Sequence, residues 1–265
     1  MAKRVVLVTG GARGIGAGIV TCFVEAGYNV MVCDIGLKPE SSDWNYELAQ
    51  IQDVNDILEE SPNVRSCFLD VTDNLSCIEA VNSTVDAFGQ IDVLVNNAGI
   101  LDSGAIDSFE EDNWDKIFAV NAKGIFLMSK AALEQLRKSN DASIINTASI
   151  AGKTGYPNMS AYCGSKFAAI GITQSLAAEL ATEGIRVNAI CPGMVGTAMW
   201  LEHLLPTNVI GHSQKLKEFE KLMQERIPLG RPQSPRDMGE AVIYLTNAKN
   251  VTGVALSVSG GFEMG

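Results

Sequence analysis

Histidine is nearly absent from this chain. His203 and His212 are the only two in 265 residues, which argues against a histidine-based catalytic relay or a zinc centre. The six cysteines (22, 33, 67, 77, 163 and 191) are scattered, with no Cys-x-x-Cys pair and no Cys/His ligand spacing. Reduced, mostly buried thiols in a cytoplasmic protein are expected, with no bound metal. No apolar stretch reaches the ~18 residues of a membrane helix. The opening Met-Ala-Lys-Arg runs at once into strand-like sequence, so no secretory signal is expected either. Positive charge is in deficit: 20 Lys and Arg face 31 Asp and Glu, for a net charge of −11. Such an acidic surface argues against nucleic acid or an anionic membrane as partner and suits a small-molecule substrate.

What is present is 46% hydrophobic residues and 25 glycines, distributed as short apolar runs alternating with helical patterns. Strands are predicted at 4–9, 28–33, 66–69, 91–95, 143–148, 186–190 and 255–258. Helices are predicted at 17–26, 47–59, 75–88, 113–138, 160–182, 214–225 and 235–247. Strand alternating with helix predicts an α/β fold, a doubly wound parallel (Rossmann) sheet with helices on both faces. No linker or repeat interrupts residues 1–265, so one domain is expected, with a substrate-covering lobe at about 194–231.

Two stretches carry chemistry. Gly10-Gly-Ala-Arg13-Gly14-Ile15-Gly16 follows the first strand and opens the first helix, and Asp34 ends the second strand. Glycines there permit a tight turn and close approach of a pyrophosphate to the helix N-terminus, and an acidic group binds an unphosphorylated ribose 2′-OH. Arg13 and Lys38 could instead meet a 2′-phosphate; NAD is favoured over NADP because no Arg or Lys directly follows Asp34. The second stretch runs from Ser149 to Lys166. Ser149 ends a strand, while Tyr162 and Lys166 lie one turn apart on the next helix. A free phenol with pKa near ~10 is a poor base at neutral pH. A neighbouring ammonium favours its phenolate, making Tyr162 a proton carrier.

Thr9-Gly-Gly-Ala-Arg-Gly-Ile-Gly16, Asp70-Val71, Asn96-Asn97-Ala98-Gly99, Asn121, Ser149, Tyr162-x-x-x-Lys166 and Pro192-Gly193 with Thr197 occur in that order. Together they resemble the short-chain dehydrogenase/reductase family from about residue 3 to the end. The resemblance implies that Tyr162 exchanges a proton with the substrate oxygen and that Ser149 polarises that oxygen. It implies that Lys166 lowers the phenol's pKa and binds the nicotinamide ribose, and that Asn121 anchors a water linking Lys166 to solvent. It further implies adenine contact by Asp70 and Val71, contact on the adenosine ribose side by Asn97 and Gly99, and nicotinamide amide contact by Val195 and Thr197. The family's usual Val-Asp-Gly-Gly is Val258-Ser-Gly-Gly261 here, a departure that touches packing and subunit contact.

Asp34 and the Thr197-Ala-Met-Trp200 segment resemble the family's NAD-dependent diol and sugar-alcohol dehydrogenases, so a small polyol or diol is the expected substrate. A 3-oxoacyl thioester reductase, a hydroxysteroid dehydrogenase and a non-catalytic NAD-binding regulator are the alternatives. The family implies a homotetramer built through its fourth and fifth helices, which the apolar runs 117–128 and 167–180 permit. Asp102 and Asn158 could bind a polar substrate or sit on the surface, and Met199 and Trp200 could line the pocket or pack the lobe. Cys163 and Cys191 read as buried rather than reactive, and Lys215, Lys217 and Lys221 as a solvated helix face.

Overall fold

The computed structural model describes residues 3–37, 61–197, 201 and 211–265. The expected helix at 47–59 and the side chains of Lys38, Met199 and Trp200 lie outside the described residues. Seven parallel strands form one sheet in the order β3-β2-β1-β4-β5-β6-β7. They are β1 Val5–Thr9, β2 Asn29–Asp34, β3 Val64–Phe68, β4 Val93–Asn96, β5 Ser143–Thr147, β6 Arg186–Pro192 and β7 Ala255–Val258. The central strands are buried along their whole length, as sheets covered on both faces require.

The described helices are α1 Gly14–Glu25, α2 Asn74–Phe88, α3 Glu111–Phe118, α4 Gly124–Leu136, α5 Ser160–Leu180, α6 His212–Arg226 and α7 Pro235–Asn247. One face of the sheet packs on α2, α4 and α5 through Val81, Met128, Leu136 and Leu180. The other packs on α1 and α7 through Ile19, Phe23, Val242 and Leu245. The strand order reverses between β1 and β4, so the carboxyl ends of these two strands open the crevice where doubly wound sheets hold ligands.

Of the boundaries that differ from the sequence pattern, three have a plain physical reason. The first helix starts at Gly14 rather than residue 17, because its glycines fold as the opening turn and not as loop. The long pattern at 113–138 is two helices joined by a π-helical turn, Ala119–Lys123. Apolar spacing alone does not register one added residue. The sixth strand runs on to Pro192, which pairs with Val258; the N–H that donates to the Val258 carbonyl there is that of Gly193, at 3.0 Å, so the proline's missing donor is not called on.

The helix that presents the glycine loop is anchored by close contact with α7. A Cβ on Gly239 would lie 2.5 Å from Cys22 Sγ and 2.6 Å from the Gly18 carbonyl oxygen. Gly239→Ala is therefore expected to cost about 2 kcal/mol of stability by overpacking, a Tm decrease of roughly 6 °C in calorimetry. An unchanged Tm would contradict this helix contact.

Candidate active site

A cleft of about 280 Å³ runs along the carboxyl ends of the strands from Asp34 to Tyr162. Its floor is the glycine loop. Gly10 and Gly14 adopt φ of 60° and 55°, the left-handed region that favours glycine. A Cβ on Gly16 would lie 1.9 Å from the Gly10 carbonyl oxygen, so no side chain fits there. Helix α1 begins with no side-chain cap and no acidic residue in its first turn. Its amide groups and dipole are thus available to an anion.

The loop is clasped from the side by Asn97. Its Nδ2 donates to the carbonyls of Thr9 (3.1 Å) and Gly10 (2.9 Å), while the main-chain N–H groups of Asn97 and Ala98 donate to Thr9 Oγ1, each at 3.0 Å. The Asn97 side chain therefore builds the cradle from β4. Asp34, buried at the end of β2, accepts from the N–H of Ala12 (3.2 Å) and of Gly36 (3.0 Å). Its carboxylate is fixed against the loop and still lines the cleft. Asp70 and Val71 line the same end; Asp70 Oδ1 accepts from Thr72 N (2.8 Å) and Oγ1 (2.7 Å).

At the other end Ser149, Tyr162 and Lys166 all line the cleft and are all buried. Ser149 caps the short 3₁₀ turn Ile150–Gly152, its Oγ accepting from Ala151 N at 3.1 Å. That bond uses an oxygen lone pair and leaves the hydroxyl proton to donate elsewhere. Lys166 Nζ lies 5.7 Å from the centre of the Tyr162 ring and donates to the Thr147 carbonyl at 2.9 Å. Burial pushes the ammonium down to about 8 from its ordinary 10.5, so near neutral pH the lysine keeps its charge in a place that penalises it.

Asn121 does not line the cleft. It sits in the π turn behind it, where Oδ1 accepts from Ile100 N (2.8 Å) and Nδ2 donates to Ile100 O (2.9 Å) and Ser165 Oγ (3.0 Å). A Cβ on Gly99 would lie 3.3 Å from both Asn121 Oδ1 and Lys166 Nζ, so Gly99 is the spacer between them. Arg13, Ile15, Ala98, Pro192, Gly193 and Thr197 line the cleft as expected. Val195 does not: its side chain is fully buried in the core, and its main chain bridges to Gln233. Ser259, where the family carries Asp, closes a C-terminal turn with Glu263 and lies directly behind Gly193.

Several lining residues escaped the sequence pattern: Ile35, Leu69, Ile100, Val120, Thr147 and Ala148. Thr147 ends β5 and Ala148 follows it just before Ser149, while Ile35, Leu69, Ile100 and Val120 adjoin Asp34, Asp70, Gly99 and Asn121; adjacency to an expected residue could have flagged all six. Asp102 accepts from Asn113 Nδ2 at 2.9 Å and Asn158 is exposed with φ 61°; neither lines the cleft. Cys191 is buried and raised to about 11 by that burial, and Cys163 is buried. Lys217 and Lys221 are exposed on α6.

The family model for short chain dehydrogenases matches residues 4–205. The chain belongs to the short-chain dehydrogenase family. It is thus an oxidoreductase acting on CH–OH groups with a nicotinamide cofactor. This dehydrogenase is 35% identical over 264 residues to 2-(S)-hydroxypropyl-CoM dehydrogenase 3 of Xanthobacter autotrophicus, covering 98% of this chain and 96% of that one. It is 35% identical to L-2,3-butanediol dehydrogenase of Corynebacterium glutamicum, over 98% of each chain. It is 32% identical to a 3-oxoacyl-[acyl-carrier-protein] reductase of Thermotoga maritima, over 97% of each. The ligand-free aldohexose dehydrogenase of Thermoplasma acidophilum superposes with TM-score 0.80 at 29% identity, covering 98% of this chain and 94% of that one. The residues present fit a dinucleotide: the uncapped helix start and the side-chain-free cradle at Gly16 suit a pyrophosphate.

The lysine yields a stability prediction. Its folded pKa of about 8 lies below the unfolded 10.5, so burying the charge costs roughly 3 kcal/mol below pH 8 and nothing once pH exceeds the unfolded value. Lys166→Met removes that cost. Thermal denaturation of the cofactor-free protein is expected to show the variant's Tm, relative to the parent, higher at pH 7 than at pH 10. A gap that widens with rising pH would contradict the buried charge.

Proposed function

We propose that this chain is an NAD-dependent dehydrogenase of a small secondary alcohol, diol or polyol. One observation supports the reading above the rest: Asp34 and the Ser149, Tyr162, Lys166 group stand at opposite ends of a single continuous cleft. When bound, the dinucleotide supplies the hydride-accepting ring. Everything else is the work of this chain. The Ser149 hydroxyl donates to the substrate oxygen and holds it beside the phenol. Tyr162 takes the proton of the substrate hydroxyl in oxidation and returns it in reduction. Lys166, with one N–H committed to Thr147, aims its remaining N–H donors at ribose hydroxyls and places its charge beside the ring of Tyr162. Asn121 acts as a positioning residue, fixing the Ile100 backbone and Ser165 on the lysine's helix.

The choice of NAD rests on charge. The buried Asp34 carboxylate accepts from an unphosphorylated 2′-OH, and a 2′-phosphate there faces repulsion. A net charge of −11 likewise disfavours an acidic carrier protein as the vehicle of the substrate. The full Ser149, Tyr162 and Lys166 set, all lining the cleft, favours turnover over passive dinucleotide sensing. No described helix is long and apolar enough to cross a membrane, and we place the protein in the cytoplasm. Phe126 on α4 and Phe167 on α5 are 51% and 46% exposed in the protomer. Burial of both faces between subunits supports the homotetramer we propose, and we take residues 1–265 as one domain with a substrate-covering lobe at about 194–231.

Two measurements test this reading. Tyr162→Phe is expected to lower kcat on the best of a panel of diols, alditols and hydroxyacids by about 10³-fold while leaving NAD affinity unchanged. A panel silent at alkaline pH, or a phenylalanine variant with parent kcat, would sink the proposal. Asp34→Ser is expected to shift the NAD to NADP preference toward NADP by at least about 10-fold, the equivalent of one lost charge repulsion. A preference that stays put would show that Asp34 does not read the ribose.

A further inference from the structure

Away from the reacting groups, two thiols face each other across the sheet. Cys33 on β2 and Cys67 on β3 are register partners in a parallel ladder, and their sulfurs lie 3.1 Å apart. Both side chains are on the same face, packed in the core layer with α2 and α4. Neighbouring strands stand about 4.8 Å apart, inside the Cα window of about 4.4–6.8 Å that a disulfide needs. The pair can close without separating the strands. The third nearby thiol does not compete: Cys77 is aimed at the Val71 carbonyl (3.7 Å), and burial pushes it up to about 12.

We propose that Cys33 and Cys67 form a reversible dithiol–disulfide pair, closed by a peroxide and reopened by a thiol such as glutathione, whose closure weakens dinucleotide binding. Cys67 is only partly buried whereas Cys33 is fully buried, so the oxidant meets Cys67 first. Burial and the hydrogen bond to its neighbour hold Cys33 protonated, and that same bond lowers Cys67. In the first step the Cys67 sulfur attacks one peroxide oxygen; an S–O bond forms, the O–O bond breaks, and water leaves. In the second the Cys33 sulfur attacks the Cys67 sulfur; the S–S bond forms, the S–O bond breaks, and the Cys33 proton leaves with a second water. Two thiols lose one electron each, and the peroxide gains both.

The coupling to the cleft is short. Cys33 precedes Asp34, and its carbonyl accepts from the N–H of Gly11 in the glycine loop at 3.4 Å. Leu69 and Asp70, which line the cleft, follow Cys67 by two and three residues. Drawing the sulfurs from 3.1 Å to about 2.05 Å ties the two strand ends together directly under Asp34 and the loop, and the cross-link removes the give with which they close on a dinucleotide. The reciprocal also holds: a dinucleotide that prefers the open pair makes the pair harder to oxidise by the same factor.

This inference rests on the dinucleotide reading of the cleft, and the experiment separates the two. The reduced protein and a sample treated with hydrogen peroxide are each titrated with NAD by calorimetry, and the treated sample is mapped by peptide mass spectrometry. The expected result is a Cys33–Cys67 cross-linked peptide and a Kd raised at least about 5-fold. Dithiothreitol should restore the Kd, and Cys67→Ala should show neither change. In glutathione buffers, saturating NAD should shift the dithiol–disulfide equilibrium by the same factor. Cys67 carried on to sulfinic acid with Cys33 still reduced, or a cross-link with unchanged Kd, overturns the proposal. A reduced protein that binds no NAD overturns the cofactor reading instead, while the peptide map still decides whether the pair closes.

Discussion

The site depends on the clasp between the ends of β1 and β4. Thr9 and Asn97 exchange four hydrogen bonds between side chain and main chain, the adjoining Gly10 and Ala98 included. They hold the glycine loop at a separation where a Cβ on Gly10 would come within 2.8 Å of Ala98 Cα. Thr147 Oγ1 extends the same network to β5, reaching Asn97 Oδ1 at 3.4 Å. The Thr147 carbonyl in turn receives the Lys166 ammonium. One polar chain thus links the cradle for the phosphates to the cation beside the phenol. It lies part-buried at the rim of a sheet whose interior is apolar, so water weakens it less than it would at the open surface.

Much of this was legible in the chain. The glycine spacing, Asp34 at a strand end and the Tyr162 to Lys166 turn each carry a geometric requirement that few residue types meet, and the cleft contains all of them. The last helix and last strand also fall on the residues expected, 235–247 and 255–258, because Ser234 forms a capping box with Asp237 ahead of Pro235 and Gly253 turns the chain before the strand. What escaped was set by distance along the chain. Val195 is withdrawn into the core by a bridge to Gln233. Asn97 lines the cleft as expected, and its amide also clasps the loop that makes the cradle, a second duty that no motif announces. No local pattern distinguishes these outcomes.

The buried polar residues behind the site follow a similar logic. Asn96 Nδ2 donates to Ser129 Oγ (3.2 Å) and to Asn146 Oδ1 (2.9 Å), and Asn146 Nδ2 donates to Thr173 Oγ1 (2.9 Å). These bonds join α4, β4, β5 and α5 through the centre of one face. Apolar contacts alone tolerate sliding, whereas this ladder of amides and hydroxyls makes these bonds in only one register. It therefore fixes where α5 sits along β5, and with it the height of the phenol over the strand ends.

The π turn at 119–123 works as a rotational adapter. An α-helix advances about 100° per residue, so the one extra residue held there sets the azimuth of everything downstream. Ile125, Leu127, Met128 and Ala132 face inward on α4 because the turn precedes them. Winding the same residues as a regular α-helix, with none removed, would swing that stripe about a quarter-turn off the sheet. The winding of this stretch is consequently as constrained as its residues, even though most of its side chains never meet a ligand.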